Sequence, residues 1–184
     1  MYSFKIKEAE EAVRGYLHRH PDSKIAVKAL DGDCAAMMEL YERLCGPIEK
    51  VLDEGPSDDA SFIILEAVNR KYLPAMVKYA QDTMCLGEEY FADGLITLME
   101  AHKFGSKEAM IQLRDDWHNS VKDIDAQRKV GERLNKYEEF VLAFYYHYGI
   151  GVEKNEALAL NLFKSSAKQG CDEAKKMLPS IQPA

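Results

Sequence analysis

The sequence of 184 residues lacks an excess of positive charge and any long apolar run. Its net charge of −7 argues against binding nucleic acid through a broad basic surface. No stretch approaches the ~18 consecutive apolar residues that a membrane-spanning helix requires, and no signal-peptide pattern is visible at the start. We therefore expect neither nucleic acid nor a membrane as a partner, and a cytoplasmic location.

Cysteines are few and irregularly placed, at Cys34, Cys45, Cys85 and Cys171. Cys34 and Cys45 fall on one predicted helix, where the rise of 1.5 Å per residue separates them by roughly 16 Å, beyond the reach of a disulfide. The absence of a Cys-x-x-Cys pair argues against a zinc ribbon and against thioredoxin chemistry. Free thiols in a reducing compartment are the expected state.

Catalytic signatures are also missing: no zinc-protease helix, nucleophile elbow, phosphate loop or dinucleotide fingerprint occurs. His18 and His20 form the only close histidine pair, but residues two apart on a helix face different directions. Asp115 and His118 can share a helix face, although no third metal ligand accompanies them. We expect no metal and no cofactor. An enzyme that uses Asp115, His118 and His147 in a groove is kept as an alternative.

The sequence does contain apolar residues at helical spacing, without the alternating polarity of strands, which predicts an all-α fold. The most informative stretch, residues 140–174, reads FVLAFYYHYGIGVEKNEALALNLFKSSAKQGCDEA. Gly149 and Gly151 permit a sharp turn after a first helix, and Asn155 is placed to cap a second helix. Ala159 and Ala167 are small enough to let neighbouring helices approach closely.

This stretch resembles the Sel-one-like repeat, a relative of the tetratricopeptide repeat. The resemblance extends over about 35 residues, the usual length of one repeat. The matching positions are Leu142, Ala143, Tyr146, Gly149, Gly151, Val152, Ala159, Leu162, Phe163, Ser166, Ala167, Gly170 and Ala174. The resemblance implies a right-handed α/α solenoid of stacked antiparallel helical hairpins. It also implies an adaptor or assembly role and supplies no catalytic residues.

The same frame, followed towards the N-terminus, predicts a single domain of about four and a half hairpins. The predicted units are an N-terminal hairpin at 1–31, repeat-like units at 32–74, 75–108, 109–137 and 138–174, and a tail at 179–184. The third unit departs most from the pattern, since Val130 stands at a small-residue position and no glycine ends its second helix, predicted at 123–135. Pro179 is expected to end the last helix.

In arrays of this family the first helices of successive hairpins line a concave face. The predicted partner-binding residues on that face are Met38, Val77, Gln81, Met84, Ile111, Asp115, His118, Tyr137, Phe140, Phe144, His147 and Tyr148. Aromatic and methionine side chains are enriched at interfaces. Aromatic residues at helical spacing are also typical of a core. The sequence therefore leaves open whether these aromatic residues line a groove or pack inside the core.

Acidic residues are concentrated between positions 53 and 93, where nine acids and three bases give a balance of −6. This segment is either a solvated edge or a docking surface for a basic partner, with Glu88, Glu89 and Asp93 as its candidate residues. We expect a non-catalytic module that binds another protein. A narrower alternative is a cytosolic immunity-type inhibitor that caps a toxin enzyme. Self-association is a third alternative, and the oligomeric state is left open.

Overall fold

The computed structural model describes residues 5–46 and 57–181, and within these ranges the chain is helical, with no β-strand. The α-helices are α1 Lys7–Arg19, α2 Lys24–Leu30, α3 Cys34–Cys45, α4 Asp58–Asn69, α5 Leu73–Cys85, α6 Glu88–Lys103, α7 Lys107–Asp116, α8 Lys122–Lys129, α9 Lys136–Tyr148, α10 Glu156–Lys168 and α11 Asp172–Ile181. A π-helical segment, Trp117–Val121, joins α7 directly to α8. The predicted all-α class is confirmed for the described ranges.

Most helices begin at a residue whose side chain accepts a backbone N–H of the first turn, which satisfies a donor that has no partner within the helix. The capping residues are Ser23, Asp33, Ser57, Ser106, Asn135 and Asn155. The predicted cap at Asn155 is confirmed, with its Oδ1 3.0 Å from the Leu158 nitrogen. Local sequence therefore fixes where these helices start.

Five helices end in the same way, with a left-handed residue that turns the chain into the next helix. The residues at this position are Gly32, Lys71, Gly105, Gly131 and Gly170, with φ between 60° and 103°. In each case the N–H of the left-handed residue and the N–H after it bond back to carbonyls of the last turn, as in Gly170 to Ala167 and Cys171 to Ser166. This is the Schellman arrangement. The recurrence marks five structurally equivalent hairpin junctions.

Within the described ranges, helices that follow one another in the sequence pack against one another. In addition, α1 contacts α4, and α9 contacts both α6 and the π-helical segment. Apolar side chains form two clusters, one built from α1 to the start of α5, around Leu40 and Ile63, and one from α5 to α11, around Leu98 and Phe163. Val68 packs against both clusters. The core therefore continues along the chain from the first helix to the last.

Two expected helix ends differ from the structure. The second helix of the third unit ends at Lys129 rather than near residue 135, because Gly131 adopts a φ of 84° and terminates it. Pro179 does not end the last helix, which continues to Ile181. A proline in this last turn leaves the carbonyl of Lys175 without its helical N–H, and Lys175 is exposed, so water can satisfy it.

Part of the acidic segment, including Asp53 and Glu54, lies outside the described residues, as does the end of the predicted tail at 182–184. In the described part of the chain, no helix is both long and apolar enough to span a membrane. Glu88, Glu89 and Asp93 are all described, and all three are exposed on α6.

Candidate functional site

Helix α9 is the central element of the C-terminal half. Every residue from Phe140 to Tyr146 is buried, so the helix is covered on all of its sides. Helix α10 covers one side, where the rings of Phe140 and Phe163 meet edge to face with centroids 5.5 Å apart. The end of α7 and the π-helical segment cover another side, where Trp117 lies 5.5 Å from Tyr145 between ring centroids.

Helix α6 runs along a third side of α9. At one end Asn135 donates a hydrogen bond to Glu88 across 3.2 Å, and at the other the Nζ of Lys103 lies 5.5 Å from the ring centroid of Tyr148. This contact exists because α8 has only eight residues, which leaves α6 and α9 adjacent.

This packing corrects part of the predicted partner surface. Phe140, Phe144 and Val77 are 0%, 1% and 3% exposed, so they belong to the core and are closed to a partner. Their assignment to an accessible face was wrong, because the helices around α9 bury it from Phe140 to Tyr146, and Val77 on α5 belongs to the same apolar cluster. These buried side chains of α9 are therefore internal packing.

The remaining predicted residues are scattered rather than joined in one groove. Met38, Gln81, His147 and Tyr148 are half-buried, and Gln81 donates a hydrogen bond to Gln112 across 3.3 Å. Ile111, Asp115 and His118 are exposed, Ile111 by 59% of its surface. Met84 and Tyr137 are half-buried too, and these two residues line the same cavity.

That cavity, called the apolar pocket here, has a volume of about 280 Å³ and is partly open to solvent. Its apolar lining residues are Met84, Phe91, Val121, Ile124, Tyr137 and Val141. They come from α5, α6, the π-helical segment, α8 and α9. Concave sites with a predominantly apolar lining and a few polar groups are the usual form of binding sites in proteins.

Local backbone features shape the apolar pocket. Gly94 on α6 lets α5 approach closely, since a Cβ at this position would lie 2.3 Å from Cγ of Met84 and 2.9 Å from the carbonyl oxygen of Ala80. The π-helical segment brings Ser120 and Val121 to the wall of the pocket. Such segments interrupt a helix and are frequent at functional sites.

Two carboxylates stand at the rim of the apolar pocket, Glu88 and Glu138. Both are held by Asn135, whose backbone N–H donates to Glu138 across 2.7 Å and whose side-chain amide donates to Glu88 across 3.2 Å. The Nζ of Lys136 lies 4.6 Å from the ring centroid of Tyr137, another residue of the lining. The rim is thus fixed in position and acidic.

Cys85 lines the apolar pocket and is the exposed member of the four cysteines, none of which forms a disulfide. Cys34 and Cys45 are half-buried, and burial raises the pKa of both thiols. Cys171 is buried. A thiol reagent will therefore reach Cys85 most readily, so the apolar pocket can be labelled selectively at this residue.

The residues of the enzymatic alternative do not converge. Nδ1 of His147 lies 2.8 Å from Glu156, and Glu156 also pairs with Lys154 at 2.6 Å. The hydrogen bonds from Lys154 and from His147 lower the pKa of the Glu156 carboxyl. Asp115 and His118 are exposed, and within residues 5–46 and 57–181 no hydrogen bond connects either of them to His147.

The sequence analysis did not predict several residues of the apolar pocket, among them Phe91, Ile124 and Val141. One signal was present, the glycine at Gly131, which marks the true end of α8 and hence the short third unit. No comparable sequence pattern predicts the π-helical segment.

Comparison with protein-family models, with curated proteins and with solved structures finds no match to this chain. Its function is therefore inferred from its own geometry.

Proposed function

We propose that this protein is a non-catalytic module that binds another protein, and that the apolar pocket is where the partner is held. The observation that carries the proposal is the convergence of three separate parts of the fold, 84–91, 120–124 and 137–141, on one partly open apolar cavity. Contiguous accessible apolar surface is characteristic of interaction sites. Methionine at such a site adapts its shape to different contacts, as Met84 can here.

The same proposal assigns the architecture to a right-handed α/α solenoid of the Sel-one-like type. Five equivalent Schellman junctions and the sequential packing of helices support it. So does the helix-turn-helix of α9 and α10, where Gly149 and Gly151 have φ values of 67° and 69° as predicted. Ala159 is fully buried at the contact, while Ala167 is half-buried. Repeat arrays of this kind present extended surfaces for recognition.

The polar groups of the apolar pocket favour binding over catalysis. A catalytic pocket needs several titratable groups that converge on a reacting atom. Here the two carboxylates of the lining, Glu88 and Glu138, both accept hydrogen bonds from Asn135, and the described lining contains neither histidine nor lysine. The unpaired thiols support a reducing compartment such as the cytoplasm.

The experiment uses Cys85 to close the apolar pocket. The protein is treated with a bulky maleimide until one thiol per molecule has reacted, and peptide mapping confirms that Cys85 carries the label. Untreated and labelled protein are then immobilised and used to capture partners from the native host, with identification by mass spectrometry. The matched control is Cys85→Ala, treated with the same reagent under the same conditions.

We expect one or more proteins to be retained by the untreated chain and by the treated Cys85→Ala variant, and lost from the labelled wild type. Circular dichroism must show the same helical content in all three samples. Equal retention by labelled and unlabelled protein would place the partner elsewhere on the surface. The proposed function would be overturned if none of the three samples captured a protein, or if the pocket turned over a substrate.

A further inference from the structure

We propose that the apolar pocket recognises a basic peptide segment of the partner, which inserts one large apolar side chain and places a Lys or Arg next to Glu88. This inference rests on the proposed function and specifies the chemistry of the partner that the site would accept.

The size of the apolar pocket favours a single side chain over a small-molecule ligand. At about 280 Å³ its volume lies just below the roughly 300–1,000 Å³ typical of small-molecule sites. It is also partly open to solvent, whereas such ligands are mostly enclosed. Protein partners often gain most of their affinity from one or two apolar anchors placed in a pocket and surrounded by a polar rim.

The walls of the apolar pocket match a Leu, Met, Phe or Trp anchor. Phe91 and Tyr137 offer ring surfaces, and Met84 offers a flexible thioether that adjusts to the shape of the inserted group. Ile124 and Val141 complete the apolar lining.

The charge at the rim favours a basic neighbour to the anchor. Glu88 is exposed and Glu138 is half-buried, and both carboxylates line the apolar pocket. An acidic ligand would meet two carboxylates at a distance where like charges repel, whereas a Lys or Arg would gain a charge-assisted hydrogen bond. Complementary charge also speeds the encounter at low salt.

The test begins with a displayed library of random 12-residue peptides, selected on the immobilised full-length protein. Bound peptides are eluted, and each clone is counter-screened against protein labelled at Cys85 with a bulky maleimide. We expect the clones that fail on labelled protein to share one large apolar residue with a Lys or Arg within four positions. Alanine in place of the apolar residue should weaken binding at least tenfold.

Two matched variants then test which carboxylate binds the basic residue of the peptide. Glu88→Gln should weaken the selected peptide about three- to tenfold and reduce the salt dependence of binding. Glu89→Gln removes the same charge one residue away, outside the pocket lining, and should change binding less than twofold. Both positions are exposed on the first turn of α6, so neither variant is expected to alter folding.

Each remaining outcome counts against the inference. Peptides that are acidic, or that bind labelled and unlabelled protein equally, would overturn it while leaving protein binding at another surface intact. Protection of Cys85 by a neutral apolar dye, with no peptide selected, would show a small-molecule site. A concentration-dependent dimer that protects Cys85 would show that a second copy fills it. Failure of both this selection and the host capture would remove the proposed function as well.

Discussion

The indole of Trp117 lies against the backbone of Gly151, so that a Cβ on Gly151 would come within 2.4 Å of Cδ1 of the ring. Gly151 also has a φ of 69°, which residues with a side chain adopt at a cost. This contact joins the turn between α9 and α10 to the π-helical segment that forms one wall of the apolar pocket. It explains why the second glycine of the turn is needed for packing as well as for conformation.

Gly151→Ala is therefore expected to destabilise the fold by about 2–4 kcal/mol, from backbone strain together with the clash. The matched control is Gly131→Ala, which has a φ of 84° but open space around the added Cβ. This variant should lower the free energy of unfolding only by the strain of the left-handed backbone, about 1 kcal/mol. Urea denaturation followed by the fluorescence of the single tryptophan measures both, and equal losses would contradict the Trp117 contact.

Two glycines within helices should respond to alanine with opposite signs. Gly15→Ala in α1 meets only the end of the Arg19 side chain at 3.8 Å, so it should stabilise the protein by about 0.5–1 kcal/mol through helix propensity. Gly94→Ala in α6 forces α5 and α6 apart and should cost about 1–3 kcal/mol. Unfolding midpoints of the two variants give the test. Stabilisation by Gly94→Ala would mean that α5 and α6 are less close than described.

Two aspartates should give opposite effects at neutral pH. Burial raises the pKa of Asp116, a hydrogen bond from Gln112 opposes this, and nearby Asp115 adds to the rise. In the described part of the chain the buried Oδ2 of Asp116 has no hydrogen-bond partner. Asp116→Asn should therefore stabilise the fold at pH 7, and the gain should shrink as the pH falls towards the usual carboxyl pKa of about 3.9. Asp115→Asn is the exposed control. A loss of stability at pH 7 would contradict this account.

Asp125 behaves in the reverse sense. Burial alone would raise its pKa, but hydrogen bonds from Lys129, Arg128 and Tyr146 outweigh burial and hold the pKa below its usual value. Asp125→Asn should cost about 1–3 kcal/mol at pH 7. The loss should persist down to about pH 4 and fade only as the pH drops below the usual carboxyl pKa, where the wild-type carboxylate is protonated. Urea midpoints measured from pH 7 to pH 3 follow this window, and a loss that did not change with pH would refute it.

Glu66 holds the two residues that precede α1. Its buried carboxylate accepts the backbone N–H groups of Lys5 and Ile6 at 2.8–3.1 Å and pairs with Arg70 at 2.6 Å. Glu66→Gln should cost about 2 kcal/mol or more and speed hydrogen exchange at Ile6, since α1 loses the group that caps its first turn. Glu100→Gln, which breaks an exposed pair with Lys71, should change stability by less than about 0.5 kcal/mol. Similar losses in the two variants would refute the capping role.

The helices were predictable because their signals are local. Asn155 caps α10, as the order of residues indicated, and the glycines of the α9–α10 turn adopt the expected left-handed conformation. Such positions depend on a few neighbouring residues, so they survive changes elsewhere in the chain.

The location of the apolar pocket was less predictable because it depends on tertiary packing. Nothing in the sequence of α9 distinguishes Phe144, which is buried, from an exposed aromatic residue, since the helix is apolar on every side. The decisive fact is the early end of α8 at Gly131, which brings α6 to α9. The pocket then forms from Phe91, Val121 and other residues on five elements, a combination that no single helix reveals.

The most direct test of the central claim is the affinity of the captured partner for two neighbouring variants on α6. Phe91→Ala removes a wall of the apolar pocket, and Tyr90→Ala removes an exposed ring that does not line it. Circular dichroism and unfolding midpoints confirm that both fold, and Cys85-labelled protein provides a third form that leaves the sequence unchanged. Isothermal titration should show at least a tenfold loss for Phe91→Ala, about 1.4 kcal/mol, and less than a twofold change for Tyr90→Ala. Full affinity in a folded Phe91→Ala variant and in labelled protein would show that the partner does not use this pocket.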